Sequence, residues 1–333
     1  MAPPTIHVEE HDIKVSNLDR MLFPADHFSK GDMLLHYGRV APAMVPHLAG
    51  RPLTLRRYPE GISSGGFFQK DASDYFPDWI NTVEVAHRHS DGTVRYVVCE
   101  DAATLLYLAN QGTIEFHIWT STVDQLDHPD RLVMDLDPPA GVTVATIRSV
   151  ARRARKLFTE LGLTPFLQAT GGRGYHVVAP LDRSADFRFV RDLAGDIADH
   201  LAAGDPDLLT TAQRKQKRGN RIYLDMNRNG SGQTFVAPYS LRARPGAAVA
   251  TPLDWAELGE STPNGFTAAS ISRRLAQKTD PWADMDEHAA APATARKRLD
   301  ALDRRSAKAD LPRPLVLRRQ PARPSTSSGR ASW

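Results

Sequence analysis

Two aspartates, Asp135 and Asp137, end the apolar run Arg131-Leu132-Val133-Met134-Asp135-Leu136-Asp137 just before Pro138-Pro139. Read as a strand, the run sends Leu132, Met134 and Leu136 to one face and both acids to the other, about 7 Å apart along the backbone. Neighbouring carboxylates are costly to ionise unless a cation neutralises them. The pair therefore points to bound divalent metal and, through it, to phosphoryl transfer. A D-x-D in a loop or a helix cap would carry no such meaning, so the surrounding residues have to decide.

A third acid, Asp225, ends the short apolar run Arg221-Ile222-Tyr223-Leu224-Asp225; it either joins the first two or merely caps a turn. Three carboxylates converging on two divalent ions form the site used for in-line nucleotidyl transfer. Thr170-Gly171-Gly172-Arg173-Gly174-Tyr175-His176 reads as a strand-to-strand turn whose amides could cradle phosphate, with His176 directed back at the anion, or as a plain tight turn. It leads into a strand, so it is not a dinucleotide fingerprint, and no P-loop motif is present. Arg228 and Arg242 follow the third acid and could meet triphosphate oxygens; the alternative is surface arginine. His117 alternates with apolar residues in Thr113-Ile114-Glu115-Phe116-His117-Ile118-Trp119 and shares its polar face with Glu115. Phe67, Phe68 and Lys70 follow the flexible Ser63-Ser64-Gly65-Gly66 and suit base stacking beside phosphate, although a buried Phe pair is the ordinary reading. Arg20 and Lys30 flank Phe23-Pro24 and a helix start, a place for a terminal phosphate.

Around these residues the spacing predicts a capped helix over 30–45, a strand over 53–58, a hairpin of 83–86 with 94–99 around Ser90-Asp91-Gly92, and a strand over 113–119. After the acid pair, an apolar stripe from Val144 to Leu161 ending at Gly162 predicts a helix, Phe166–Thr170 and Tyr175–Ala179 predict strands, and Phe189 to Leu201 predicts a second helix ended by Gly204. With the strand at 221–225 the order across 131–225 is β-α-β-β-α-β, that of ferredoxin-like and RNA-recognition folds. A further helix is expected near 268–277 and a disordered Pro/Arg/Ser-rich tail from about 310.

The 333 residues, 41% of them hydrophobic, suffice for one large domain or two smaller ones. No apolar run is long enough to cross a membrane and no signal-peptide core is visible, so a cytoplasmic protein is expected. The single Cys99 excludes an intramolecular disulfide and a thiolate-rich zinc site. Of the net charge of +3, five positive charges sit in residues 311–333, leaving −2 for residues 1–310. A second basic cluster runs from Arg214 to Arg228, with Arg214, Lys215, Lys217, Arg218, Arg221 and Arg228 against Asp225 alone, and it borders the acids.

In this order the motifs resemble the polymerase domain of bacterial ligase D, within the archaeo-eukaryotic primase superfamily. The resemblance rests on Asp135-Leu136-Asp137-Pro138-Pro139, on the turn from Thr170 to His176, and on Leu224-Asp225 with Arg228. It extends to Asn17–Pro24, Lys30-Gly31-Asp32, Gly50–Thr54, Phe67–Lys70, Ile114–His117 and Tyr239–Arg242, over roughly residues 12–285. It implies an α+β primase-polymerase fold in which an RNA-recognition-like catalytic sheet (131–290) packs on an N-terminal α/β part (1–130), followed by a tail (291–333). Asp135, Asp137 and Asp225 would hold two divalent ions, Mn2+ preferred or Mg2+. Thr170, Gly172, His176, Arg228, Arg242 and His117 would contact the nucleotide. Arg20, Lys30, Phe67, Phe68 and Lys70 would contact DNA and its 5′-phosphate, with Arg20 standing where the family usually has lysine and Thr170 where it usually has serine. The implied activity is nucleotide addition, ribonucleotides preferred, to primer 3′-ends at gaps or double-strand breaks in non-homologous end joining. The chain has Lys30-Gly31-Asp32-Met33 but no K-x-D-G ligase nucleophile motif, so the resemblance implies a stand-alone or split polymerase, with NTP or dNTP, broken DNA, Ku and a separate ATP-dependent DNA ligase as partners. A divalent-metal nuclease and a non-catalytic scaffold for DNA ends are the competing readings.

Overall fold

The computed structural model describes residues 4–86 and 91–309. Ser90 of the expected hairpin turn, and the tail expected from about 310, lie outside them. Ten strands make up the two larger sheets: β1 (Leu53–Arg57), β2 (Phe67–Gln69), β3 (Thr113–Trp119), β4 (Arg131–Asp137), β5 (Phe166–Ala169), β6 (Tyr175–Pro180), β7 (Leu209–Thr210), β8 (Ile222–Asp225), β9 (Thr234–Val236) and β10 (Thr251–Leu253). The helices are α1 (Lys30–Leu48), α2 (Ala102–Asn110), α3 (Val144–Glu160), α4 (Phe187–Ala203), α5 (Ala268–Gln277) and α6 (Pro292–Ala309).

The second half follows the expected β-α-β-β-α-β path. Its sheet runs β7-β8-β4-β6-β5-β10, antiparallel except for the β7–β8 pair. One face is dry: Leu132, Met134 and Leu136 of β4 and Val177 and Ala179 of β6 pack with Ile147, Val150, Ala154 and Phe158 of α3 and Val190, Leu193 and Ile197 of α4. Thr143 caps α3 and Asp186 caps α4, each side chain accepting a backbone N–H of the first turn. The opposite face is divided. Val133 of β4 and Val178 of β6 join the N-terminal core, whereas Asp135, Asp137 and His176, further along the same strands, are left at its edge.

The N-terminal half is built on the sheet β9-β3-β1-β2. Leu53, Leu55, Ile114, Phe116 and Ile118 are buried with Met33, Tyr37, Val40 and Met44 of α1. That core also takes Phe235, Ala237, Tyr239, Leu241 and Val249, so residues beyond 230 return to the first half after building the second. Ser29 and Asp32 form the expected capping box. The helix runs past Pro46 to Leu48, because a proline this near the C-terminal end forfeits one hydrogen bond while buried Leu48 secures the last turn. The stretch expected as a tail begins as α6, whose Ala295 and Leu299 are fully buried in the second core and whose Arg296 pairs with Asp196 of α4 at 2.5 Å. No helix among the described residues is long and apolar enough to cross a membrane.

Candidate active site

Strand register sets how the acids stand to one another. Asp135 of β4 stands directly opposite Asp225 of β8 on one side and opposite His176 of β6 on the other. Asp137, two residues on, shares their face. Pro138 and Pro139 then end β4, having no N–H to extend the ladder. On the far side of the 3-10 turn after β8, Asn229 is fully buried; its side chain accepts the Val133 N–H at 2.8 Å and donates to the Val133 carbonyl at 2.7 Å. One amide thus replaces a strand partner on β4 and holds the Asp225 turn against the acid strand.

The three acids have different surroundings. Burial opposes ionising Asp135, but His176 Nε2 at 3.6 Å and Arg228 Nη2 at 3.4 Å outweigh it and hold the carboxyl below the usual range. Asp137 goes the other way: burial, then the nearby charge of Asp135, pushes it up despite Arg218 at 3.5 Å and Arg173 at 4.0 Å. Asp225 accepts the Asn227 N–H and side-chain amide, each at 2.9 Å, and its other oxygen is 3.6 Å from Arg228. Arg228 therefore bridges Asp135 and Asp225. As placed, no three His, Cys, Asp or Glu side chains among the described residues converge closely enough to hold a metal ion. The donor set still suits a hard divalent cation: carboxylate oxygens share one face, and the burial and the Asp135 charge that push Asp137 up are both offset by a bound cation.

All nine residues expected at the metal and nucleotide line one cavity of about 240 Å³: the three acids with His117, Thr170, Gly172, His176, Arg228 and Arg242. Arg173 and Arg244 line it as well. The glycine-rich turn is held from within, the Thr170 hydroxyl donating to the Gly174 carbonyl at 2.9 Å and accepting the Gly172 N–H at 3.2 Å, while the Gly171 N–H is taken by the Pro263 carbonyl. Those two amides are thus already engaged, and the charge that faces the cavity comes from arginines. Arg242 donates to the Thr170 carbonyl at 2.8 Å. A Cβ on Gly171 (φ +66°) would lie 2.6 Å from Arg242 Cγ, so the glycine makes room for this arginine.

Phe67 and Phe68 are not a core pair; they stand 49% and 60% exposed on the edge strand β2. Arg57 lies over the Phe67 ring and Arg56 over the Phe68 ring, the second at 5.3 Å, and the Phe68 ring meets His117 edge-on at 6.0 Å. Phe68 is therefore an exposed aromatic ledge beside the cavity. Lys70 lines a neighbouring, larger cleft of about 870 Å³, with Trp119, Arg191 and Asn227. Arg20 and Lys30 lie together but outside the acid-lined cavity: the Lys30 N–H donates to the Arg20 carbonyl, Lys30 Nζ to the Ser16 carbonyl at 2.8 Å, and Arg20 to the Pro59 carbonyl and Glu60. The residue that sequence reading left without a role is Glu115. Alternation put it on the polar face with His117, yet it is 1% exposed and receives the His117 ring at 3.0 Å. Arg244 could have been found from its spacing, two residues after Arg242.

Comparison with known proteins bears on the fold and the family. The family model "LigD, primase-polymerase domain" matches residues 29–282. The multifunctional non-homologous end joining DNA repair protein LigD of Mycobacterium tuberculosis H37Rv is 34% identical over 279 residues, covering 81% of this chain and 36% of that protein. The bifunctional non-homologous end joining protein LigD of Bacillus subtilis 168 is 31% identical over 274 residues, covering 82% of this chain and 44% of that one. The chain thus spans roughly a third to under half of these relatives' length. Among solved structures, the polymerase domain of Mycobacterium tuberculosis ligase D in complex with DNA superposes with a TM-score of 0.77 at 32% identity, covering 84% of this chain and 99% of that one.

Proposed function

The chain belongs to the ligase D primase-polymerase domain family and has its α+β fold, and from that premise we propose that it adds nucleotides to primer 3′-ends at gaps and broken DNA ends during end-joining repair. The observation that carries the reading is the strand register that sets Asp135 against Asp225, with Asp137 on the same face, in a cavity that four arginines and two histidines also line. Carboxylates would hold the cations and the basic wall would hold the triphosphate, a division that nucleotidyl transfer requires.

Asp135, Asp137 and Asp225 would bind two divalent ions, manganese preferred over magnesium. Bound there, the metal supplies Lewis-acid stabilisation of the attacking and leaving oxygens. The chain's own residues do the rest. Arg228 and Arg242 carry fixed charge for the polyphosphate, His176 and His117 flank it, and Thr170 with Gly172 shapes the turn beneath. Phe68 offers a π-face to a template base, and Phe67 and Lys70 extend that surface toward DNA. Arg20 and Lys30 would receive the 5′-phosphate on the far side of a gap. Broken DNA, NTP or dNTP, Ku and a separate ATP-dependent DNA ligase are the partners this reading calls for.

The test is a labelled primer on gapped, nicked and blunt templates, with and without a 5′-phosphate, incubated with the chain, Mn2+ and NTPs or dNTPs. Lengthening of the primer, greatest on the 5′-phosphorylated gap with NTPs, is expected. Shortening would make the site that of a nuclease, and DNA binding without any change in primer length would make the protein a scaffold.

A further inference from the structure

Glu115 is a buried carboxylate on which donors from three separate parts of the chain meet. From its own strand β3 comes His117 Nε2 at 3.0 Å; from β1 comes Arg56 Nη1, 3.5 Å from both oxygens. From the segment after β9 comes the Ala243 N–H at 2.8 Å, with Arg242 Nε beside it at 3.4 Å as a charge contact without a hydrogen bond. A buried charge stays ionised only when it is paired and hydrogen-bonded, and these partners, His117 and Arg242 foremost, hold it well below the usual carboxylate range against its burial.

Each of its partners continues elsewhere. Arg56 lies over the ring of Phe68, the exposed ledge. His117 touches that ring edge-on and lines the cavity. Arg242 reaches across to the Thr170 carbonyl on the catalytic sheet and lines the same cavity. The ledge and the polyphosphate arginine are thus joined through one carboxylate that itself is closed to solvent.

We propose that Glu115 is a positioning residue that aims Arg242 and His117 at the nucleotide and couples that aim to the Phe68 ledge, so that the seating of a template base and the grip on the incoming nucleotide are not independent. This rests on the polymerase reading. Arginine binds phosphate through a planar fork whose direction matters; the Thr170 carbonyl takes one end of that of Arg242, and the Glu115 charge beside Nε attracts its other side without a hydrogen bond. Glu115→Gln keeps the shape and removes the charge that does the anchoring.

The experiment is single-nucleotide addition by the full chain with Mn2+ and a gapped primer-template, with KM for the nucleotide and kcat measured separately. Glu115→Gln should raise KM by about tenfold, within the range of coupling between residues of one ion-pair network, and change kcat by no more than about threefold. In an Arg242→Ala background the same substitution should add only the smaller share that acts through His117, and in a Phe68→Ala background it should likewise add less than its full factor. An unchanged KM, or factors that simply multiply in both backgrounds, would overturn the inference. Should Glu115→Gln not fold, Glu115→Asp, which keeps the charge but withdraws it by one methylene, is read in the same cycles. Absence of any primer extension by the unmodified chain would bring down the polymerase reading and this inference together; extension with an indifferent Glu115 would bring down this inference alone.

Discussion

Gly174 sets how closely the glycine-rich turn approaches the acid strand. A Cβ at this position would stand 1.8 Å from the Leu136 carbonyl oxygen and 3.2 Å from Pro138 Cδ. Ordinary carbon–oxygen contacts begin at roughly 3.3 Å, so Gly174→Ala has to open the structure there by about 1.5 Å. No side-chain rotation can absorb this, because the obstructing atom is backbone in the β4–β6 pair, where Leu136 faces Tyr175. Leu136 is also the residue between the two acids. A misplacement of about 1 Å at reacting groups costs about a hundredfold in rate, and overpacking costs about 1–3 kcal/mol in stability. Gly174→Ala should therefore lower single-turnover nucleotide addition by at least about a hundredfold and reduce the Tm. Gly172→Ala is the control. Its Cβ would meet the movable side chains of Thr170 at 3.2 Å and Arg244 at 3.5 Å, so its loss should stay within about tenfold. Single-turnover kinetics with a gapped primer-template, alongside calorimetry, gives both readings. Wild-type rate and Tm in Gly174→Ala, or equal losses in the two variants, would refute the argument.

Two further outcomes follow from charge. Arg51 and Asp130, both buried, are joined by two hydrogen bonds of 2.8 and 2.6 Å where β1 and β4 begin. Arg51→Ala leaves that carboxylate with Arg131 at 3.3 Å as its remaining cation, and should cost about 3 kcal/mol; an unshifted urea midpoint would contradict this. Lys30 is brought down to about 8 by burial and then by the charge of Arg20. Its ammonium is charged below that value and neutral above it, so the advantage of a 5′-phosphorylated gap over an unphosphorylated one should shrink from pH 7 to 9 while Arg20 stays charged. The sign for stability is opposite. The fold disfavours the protonated lysine, so this group's contribution improves as pH rises through 8 toward its ordinary value. A phosphate preference that is flat across this range would remove Lys30 from the contact.

The catalytic half was legible because its signals are local. Alternation in 131–137 separated acids from core, the stripes of α3 and α4 were regular, and glycines marked their ends. Register was not local: the strand ending in Asp225 was legible, but a turn cap stayed open as its role, and only the fold shows Asp225 opposite Asp135. What escaped depended on distant partners. Glu115 reads as a solvent-facing residue until Arg242 and Ala243, more than a hundred residues away, are brought onto it. Asn229 looks like a loop residue, and only the fold shows it completing a ladder on Val133. The exposure of Phe68 reversed its ordinary reading because β2 is an edge strand with Arg56 and His117 beneath the ring. β9 and β10 have three residues each, too short for periodicity to register. In α6 a charged, low-hydropathy stretch conceals two buried contacts, Ala295 and Leu299, that suffice to dock it.

The most direct measurement compares the unmodified chain with Asp225→Asn in templated extension of a 5′-phosphorylated gap in Mn2+. Asparagine keeps the size and one acceptor oxygen of the residue facing Asp135 but removes its charge. The unmodified chain should add template-complementary nucleotides and Asp225→Asn should lose about a thousandfold or more of that activity, with DNA binding and Tm close to those of the unmodified chain. Undiminished extension by Asp225→Asn would contradict the claim that acids from two remote strands form a single nucleotidyl-transfer centre.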